Sequence, residues 1–114
     1  MLSKAFRLPA YLIPEVLKKG KRFYFDFFTL IVFKNKNECN QSFLAVITPK
    51  KIFKKAVLRN KIKRFVSEAL TTSLFKIKPD YNVIFMAKKN IMGEKFASIK
   101  TEIEKSLMQA KLLK

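Results

Sequence analysis

The segment from Lys50 to Leu70, KKIFKKAVLRNKIKRFVSEAL, combines a dense run of positive charge with a helical repeat of apolar residues. Eight of the fifteen residues from Lys50 to Arg64 are Lys or Arg, and none is acidic. Apolar residues recur at i, i+4, i+7 and i+11, which places them on one helix face: Leu58, Ile62, Phe65 and Ala69. The segment therefore predicts a helix whose apolar face is buried and whose opposite face is basic.

The predicted basic surface combines the polar side of this helix with the residues that precede it. At roughly 100° per residue, five side chains lie opposite the apolar face: Arg59, Asn60, Lys61, Lys63 and Arg64. Four lysines extend this surface toward the N-terminus: Lys50, Lys51, Lys54 and Lys55. Exposed helices usually pair such charges with acids one turn away, but no acid occurs in this segment before Glu68. Because the charges repel without compensation, the pattern favours polyanion binding over a merely solvated basic face.

The composition of the 114-residue chain restricts the classes of function. A hydrophobic fraction of 49% predicts one folded domain, 1–114, in spite of a net charge of +17. The absence of His excludes a nucleophile–histidine triad, and one Cys without His excludes a His/Cys metal cluster. The single Cys39 also excludes an internal disulfide and agrees with a reducing cytoplasm. These features favour nucleic-acid binding, with an anionic membrane surface as the competing partner.

The sequence as a whole predicts an α+β fold, a small mixed sheet with helices packed on it. A first helix is expected to open at Pro9 or Pro14 and to stop at Gly20. The order α-β-β(-β)-α-β-α follows from strands at Phe23–Phe33, Phe43–Thr48 and Tyr81–Ala87, turns at Lys34–Ser42 and Lys76–Asn82, and a last helix at Glu94–Leu112. The first strand segment is long, and either it hides a third strand or it bends. Strict alternation along it places Phe23, Phe27 and Ile31 on one face.

The nonapeptide AVLRNKIKR, Ala56–Arg64, resembles the signature of the protein subunit of bacterial ribonuclease P. In that family an Arg-Asn pair is followed by a basic residue, an apolar residue and two basic residues, as in Arg59–Arg64. The preceding PKKIFKK and the segment VLKKGKR, Val16–Arg22, are also similar, so the resemblance spans roughly Leu12 to the C-terminus. The family implies a left-handed strand–helix–strand crossover through the basic helix, whereas the general rule predicts a right-handed one.

The resemblance implies that this protein is the auxiliary subunit of a ribonucleoprotein enzyme. In the family, the RNA subunit is the catalyst and uses magnesium to hydrolyse the phosphodiester bond at the 5′ end of mature tRNA. The protein binds that catalytic RNA and the 5′ leader of precursor tRNA, holds no cofactor by its own residues, takes no small-molecule substrate and acts in the cytoplasm. The residues agree with this role, because the eight carboxylates are scattered and form no converging set for a two-metal site.

The resemblance also implies two RNA-binding surfaces. The basic surface would pair with phosphates of the catalytic RNA. A cleft between the sheet and the helices would hold the single-stranded leader, with five candidate residues: Ile13, Leu17, Phe27, Ile31 and Phe33. Core packing accounts for these apolar side chains equally well. Aligned from Gly20, Leu17 and Ile31 stand where many members have aromatic residues, so stacking is expected to be weaker there or to shift to Phe27 and Phe33.

Two other functions fit parts of the sequence. A structural RNA-binding protein, such as a ribosomal protein, fits the composition equally well, and the Arg-Asn signature is what separates it from ribonuclease P. A peripheral membrane protein that uses the basic helix is the weakest hypothesis, because the core requires the apolar face of that helix.

Overall fold

A computed structural model describes residues 7–34, 42–71, 76–77 and 81–112 of the chain. Its helices and strands follow in the order α1 (Ile13–Lys19), β1 (Lys21–Tyr24), β2 (Phe28–Lys34), β3 (Phe43–Ile47), α2 (Ala56–Thr71), β4 (Tyr81–Ala87) and α3 (Phe96–Gln109). The predicted α+β class and element order are confirmed, with the optional third strand present before the basic helix. Cys39 and most of the predicted turn at Lys34–Ser42 lie outside the described residues, as do residues 78–80 of the predicted turn at Lys76–Asn82.

The four described strands form one mixed sheet in the order β1-β2-β4-β3. The pairs β1–β2 and β2–β4 are antiparallel, and β3 runs parallel to β4. Two parallel neighbouring strands need a crossover connection. Helix α2, which lies between β3 and β4 in the chain, provides it. The strand–helix–strand unit that the resemblance implies is therefore present, while its left-handedness stays a prediction.

The segment Phe23–Phe33 forms a hairpin, so its interpretation as one alternating strand is wrong. The backbone N–H of Phe25 donates to the carbonyl of Phe28 over 3.0 Å and closes a tight turn between β1 and β2. Phe23 then lies opposite Leu30 and shares its face of the sheet, while Ile31 faces the other way. Aromatic residues fill the turn itself, which conceals the hairpin from an analysis that looks for glycine and proline.

The two faces of the sheet are covered by different helices. Helices α2 and α3 enclose the larger core, into which Ile62 and Ala69 of the predicted apolar stripe are buried and against which Leu58 and Phe65 pack half-buried. The last helix, predicted at Glu94–Leu112, is present as α3, and its buried apolar residues are Ile99, Ile103 and Leu107. The opposite face carries a smaller core beneath α1, made of Leu8, Val16, Ile31, Ala45 and Ile84.

Helix α1 ends where the sequence predicts, at Gly20, and Pro14 lies in its first turn. Gly20 has an extended backbone, with φ −69° and ψ 151°, so glycine is not required there for a left-handed conformation. A Cβ at this position would instead lie 2.5 Å from the carbonyl oxygen of Val16 and 2.6 Å from Cγ2 of Ile31. The missing side chain thus allows α1 to turn tightly into β1 while it packs against β2.

Candidate nucleic-acid interface

The predicted basic surface lies on α2 and on the loop that leads into it. Seven of its nine residues are exposed, while Arg59 and Lys63 are half-buried (exposed: Lys50, Lys51, Lys54, Lys55, Asn60, Lys61 and Arg64). The first turn of α2 contains no acidic residue. Since the N-terminus of a helix carries a partial positive charge, cations there are repelled and anions are attracted. The charge arrangement suits a bound phosphate backbone.

The loop before α2 is folded by its own contacts. The backbone N–H groups of Ile52 and Phe53 both donate to the carbonyl of Pro49, over 3.1 and 2.9 Å, and the Phe53 side chain is completely buried. Nη1 of Arg59 donates to the carbonyls of Phe53 and Lys54 at 2.9 and 3.0 Å. Arg59 therefore fixes the loop lysines relative to the helix. The sequence analysis did not predict this positioning role. In a run of basic residues, no pattern shows which side chain donates to a nearby backbone carbonyl instead of contacting RNA.

A groove of about 570 Å³ runs beside strand β3 and is called here the β3 groove. One wall consists of residues 7–10 and Ile13, and the other consists of Lys63 and Ser67 from α2. Its floor is formed by Leu44, Ala45 and Val46 of β3. The groove thus joins an apolar floor to cationic side chains from both walls, since Arg7 also lines it. That combination suits a single-stranded nucleic acid, whose bases are apolar on their faces and whose backbone is negative.

The N-terminal wall of the β3 groove is held in place by the sheet. Arg7 forms a parallel bridge with Leu44, and the backbone N–H of Leu8 donates to the carbonyl of Leu44 over 2.8 Å. Residues 7 and 8 thereby cover part of the outer edge of β3. This wall could not be predicted from a sequence pattern, because the isolated bridge involves only one pair of residues.

Four of the five predicted cleft residues belong to the same small core. Ile13, Leu17 and Phe33 are half-buried and pack against the buried cluster that contains Ile31. Only Ile13 lines the β3 groove. Ile31 has 0% exposed surface and lies beneath α1, so its side chain is part of the core in this structure. An RNA contact by Leu17 or Phe33 stays a prediction.

Phe27 does not lie with the other predicted cleft residues. It sits in the turn between β1 and β2 and packs against the larger core, because the hairpin reverses the face that strict alternation assigns to it. Its backbone N–H donates to both carboxylate oxygens of Glu102 in α3, at 3.2 Å each. The prediction that Phe27 lies in one cleft with Ile13 and Ile31 is therefore wrong, because they pack in different cores.

Glu102 joins α3 to this turn. Burial raises the pKa of its carboxyl above the ordinary value of 4.5, and hydrogen bonds from the backbones of Phe27 and Asp26 partly oppose that rise. The Lys88 ammonium also holds the turn, since it donates to the carbonyl of Phe25 over 2.6 Å. These contacts are structural. Among the described residues, no group of three or more His, Cys, Asp or Glu side chains could hold a metal ion.

Comparison with known proteins identifies the family to which this chain belongs. The family model for ribonuclease P matches residues 11–111. The ribonuclease P protein component of Clostridium kluyveri is 32% identical over 101 residues, which cover 87% of this chain and 88% of the relative. That of Fusobacterium nucleatum is 40% identical over 85 residues, which cover 74% of each chain. The solved structure of the Staphylococcus aureus ribonuclease P protein superposes with a TM-score of 0.84 at 27% identity, covering 97% of this chain and 100% of that one.

The chain belongs to the ribonuclease P protein family. It is the protein component of a tRNA-processing ribonucleoprotein, as the Arg-Asn signature predicts, and the ribosomal-protein alternative is set aside. The membrane hypothesis loses its physical basis, because Ile62, Val66 and Leu70 of α2 are buried in the core. Within the described part of the chain, no helix has both the length and the apolar character needed to cross a bilayer.

Proposed function

We propose that this protein binds the catalytic RNA of ribonuclease P through its basic surface and holds the 5′ leader of precursor tRNA in the β3 groove. The observation that supports this assignment is the position of Lys63, which belongs to the basic helix and also lines the groove. A leader in the groove would therefore lie directly beside an RNA bound along α2. The two surfaces would place the end of the leader next to the catalytic RNA.

The protein is an auxiliary subunit in this proposal, and hydrolysis is performed by the RNA in the cytoplasm. In this proposal the magnesium ions are held by RNA, and the eight carboxylates are scattered along the sequence. The cationic surface would reduce the repulsion between catalytic RNA and precursor tRNA. It would thereby lower the magnesium concentration that the two RNAs need in order to associate.

Affinity measurements on precursor and mature tRNA test the proposal. The catalytic RNA should bind precursor more tightly when the protein is present, while its affinity for mature tRNA should change little, because only the precursor carries a leader. An equal gain for both RNAs would show general electrostatic attraction and would contradict the groove assignment.

A pair of lysine variants tests whether the gain in precursor affinity comes from the β3 groove. Lys63→Ala should weaken precursor binding by roughly tenfold, the value of a hydrogen bond to a charged group, and should leave mature tRNA binding unchanged. Lys105→Ala removes the same charge from α3, where Lys105 lines a pocket at the β1–β2 turn. If both variants lose the same affinity, net charge rather than the groove determines binding.

A further inference from the structure

Tyr11 is an exposed aromatic residue that follows Ala10, a lining residue of the β3 groove, in the chain. It lies in a short 3-10 turn, Ala10–Leu12, that leads into α1, and 80% of its surface is exposed. Pro9 restricts the backbone before the turn, and the N–H of Leu12 donates to the Pro9 carbonyl over 3.0 Å. The Leu12 side chain packs against the small core. The backbone at Tyr11 is therefore held in place by the residues around it.

The geometry of the turn places the tyrosine beside the groove and outside its floor. Successive residues of a 3-10 helix are separated by about 120°, so Ala10 and Ile13 share one side. Both of these residues line the β3 groove. Tyr11 lies between them in the chain and is not itself a lining residue of the groove, and its ring is exposed to solvent. A strand that leaves the groove across this wall would pass the tyrosine ring.

The groove lacks an aromatic surface of its own among the described residues that line it. The apolar residues that line it are aliphatic and include Leu8, Ala10, Ile13 and Val46. Proteins that hold single-stranded nucleic acid combine a positive groove with aromatic side chains on which bases stack. Lys63 and Arg7 supply the positive charge here. The nearest exposed ring along the chain is that of Tyr11.

We propose that Tyr11 is the stacking residue for a base of the single-stranded RNA that occupies the β3 groove. The inference rests on the proposed function and names the residue that gives the groove its preference for unpaired bases. Stacking on an aromatic ring strengthens binding by about 5- to 150-fold per base. A single-stranded segment should gain this contact, whereas paired bases inside a duplex should not.

A second exposed tyrosine supplies the matched control. Tyr24 ends strand β1, on the opposite edge of the sheet from β3, and 71% of its surface is exposed. Its ring faces the Lys88 ammonium at 5.6 Å. The two tyrosines are thus similarly exposed, and each lies near positive charge. They differ in their distance from the β3 groove, because Tyr24 lies at the opposite edge of the sheet.

Intrinsic tyrosine fluorescence can report the contact, because the chain contains three Tyr and no Trp. The probe is a single-stranded RNA oligonucleotide of about ten nucleotides, within the usual site size of such proteins. It is titrated into wild type, Tyr11→Phe, Tyr11→Leu and Tyr24→Leu, and a thermal melt of each confirms the fold. We expect Tyr11→Leu to weaken binding by about 5- to 150-fold, Tyr11→Phe to bind nearly as wild type, and Tyr24→Leu to match wild type. Quenching of tyrosine emission should persist in Tyr24→Leu and be largely lost in Tyr11→Phe.

Two results would overturn the role of Tyr11. One is wild-type affinity in Tyr11→Leu, and the other is an equal loss in Tyr11→Leu and Tyr24→Leu. The failure of the proposed function has a different signature, since it appears as equal affinity gains for precursor and mature tRNA in the wild-type holoenzyme. The oligonucleotide titration decides the role of Tyr11 in either case, because it does not use the catalytic RNA.

Discussion

The two faces of the sheet carry unequal shares of the apolar core. Seventeen described residues are buried in the core beneath α2 and α3, whereas the core beneath α1 buries five. The larger face is closed by long helices, so it holds most of the apolar burial that stabilises the fold. The smaller face is covered by a seven-residue helix, and the β3 groove lies at the β3 edge of the sheet, between residues 7–13 on one side and Lys63 and Ser67 of α2 on the other. RNA binding is therefore assigned to the outer surface of α2 and to this edge, while stability comes mainly from the core that α2 and α3 enclose.

Matched isoleucine substitutions on the two faces should give the largest difference. Ile62→Ala should reduce the free energy of unfolding by about 2–5 kcal/mol, because Ile62 is 5% exposed and its loss leaves a cavity in the larger core. Ile13→Ala should cost only about 1–2 kcal/mol, since this side chain is half-buried. Denaturant unfolding of both variants measures the difference. Equal losses would contradict the unequal roles of the two faces.

In RNA affinity, Ile13→Ala should show the larger loss of these two variants. Ile13→Ala should weaken binding of a leader-bearing precursor, because Ile13 lines the β3 groove. Ile62→Ala should bind normally at a temperature where it remains folded, since its side chain points into the core.

Arginine substitutions in α2 should separate positioning from phosphate contact. With about six phosphate contacts, the logarithm of affinity should fall with the logarithm of salt at a slope near −4 to −5. Arg64→Ala should make this slope shallower by about 0.7–0.9 and leave stability within about 0.5 kcal/mol, because Arg64 is exposed.

Arg59→Ala should also destabilise the fold, by about 1 kcal/mol, since it removes the donor to the Phe53 and Lys54 carbonyls. Salt titrations and thermal melts distinguish the two variants. If the wild-type slope of log affinity against log salt is shallower than about −2, the basic surface is mostly solvated.

Much of this architecture follows from local sequence pattern. The helical period in Leu58, Ile62 and Phe65 identifies both α2 and its basic side, because burial and charge occupy opposite sides of one cylinder. The β1–β2 hairpin could not be placed in the same way, since Phe25 and Phe27 continue the apolar run through the turn. The β3 groove depends on the approach of residues 7–10 to α2, which are far apart in sequence. Its walls therefore became visible only in three dimensions.

The smallest expected effect concerns Glu102, which fastens α3 to the β1–β2 turn on the larger face. Its raised pKa means that the folded state retains a proton at pH values where the unfolded state has already lost it. The contribution of Glu102 to stability should therefore fall as pH rises from about 4.5 through the raised pKa. Glu102→Gln should gain stability relative to wild type over this pH range.

Melts at a series of pH values measure that gain, with Glu104→Gln on the same helix as the control. Glu104 is exposed, so its replacement leaves the turn contacts in place. A stability difference between Glu102→Gln and wild type that does not change with pH would contradict the role assigned to burial.

Photochemical crosslinking shows directly whether the RNA leader lies in the β3 groove. A precursor tRNA with 4-thiouridine in its leader is bound to the holoenzyme, irradiated and digested, and the crosslinked peptides are identified by mass spectrometry. We predict crosslinks in residues 7–13, in the β3 residues Leu44, Ala45 and Val46, and near Lys63. Crosslinks concentrated in α3 or in the β1–β2 turn, neither of which lines this groove, would contradict the groove assignment.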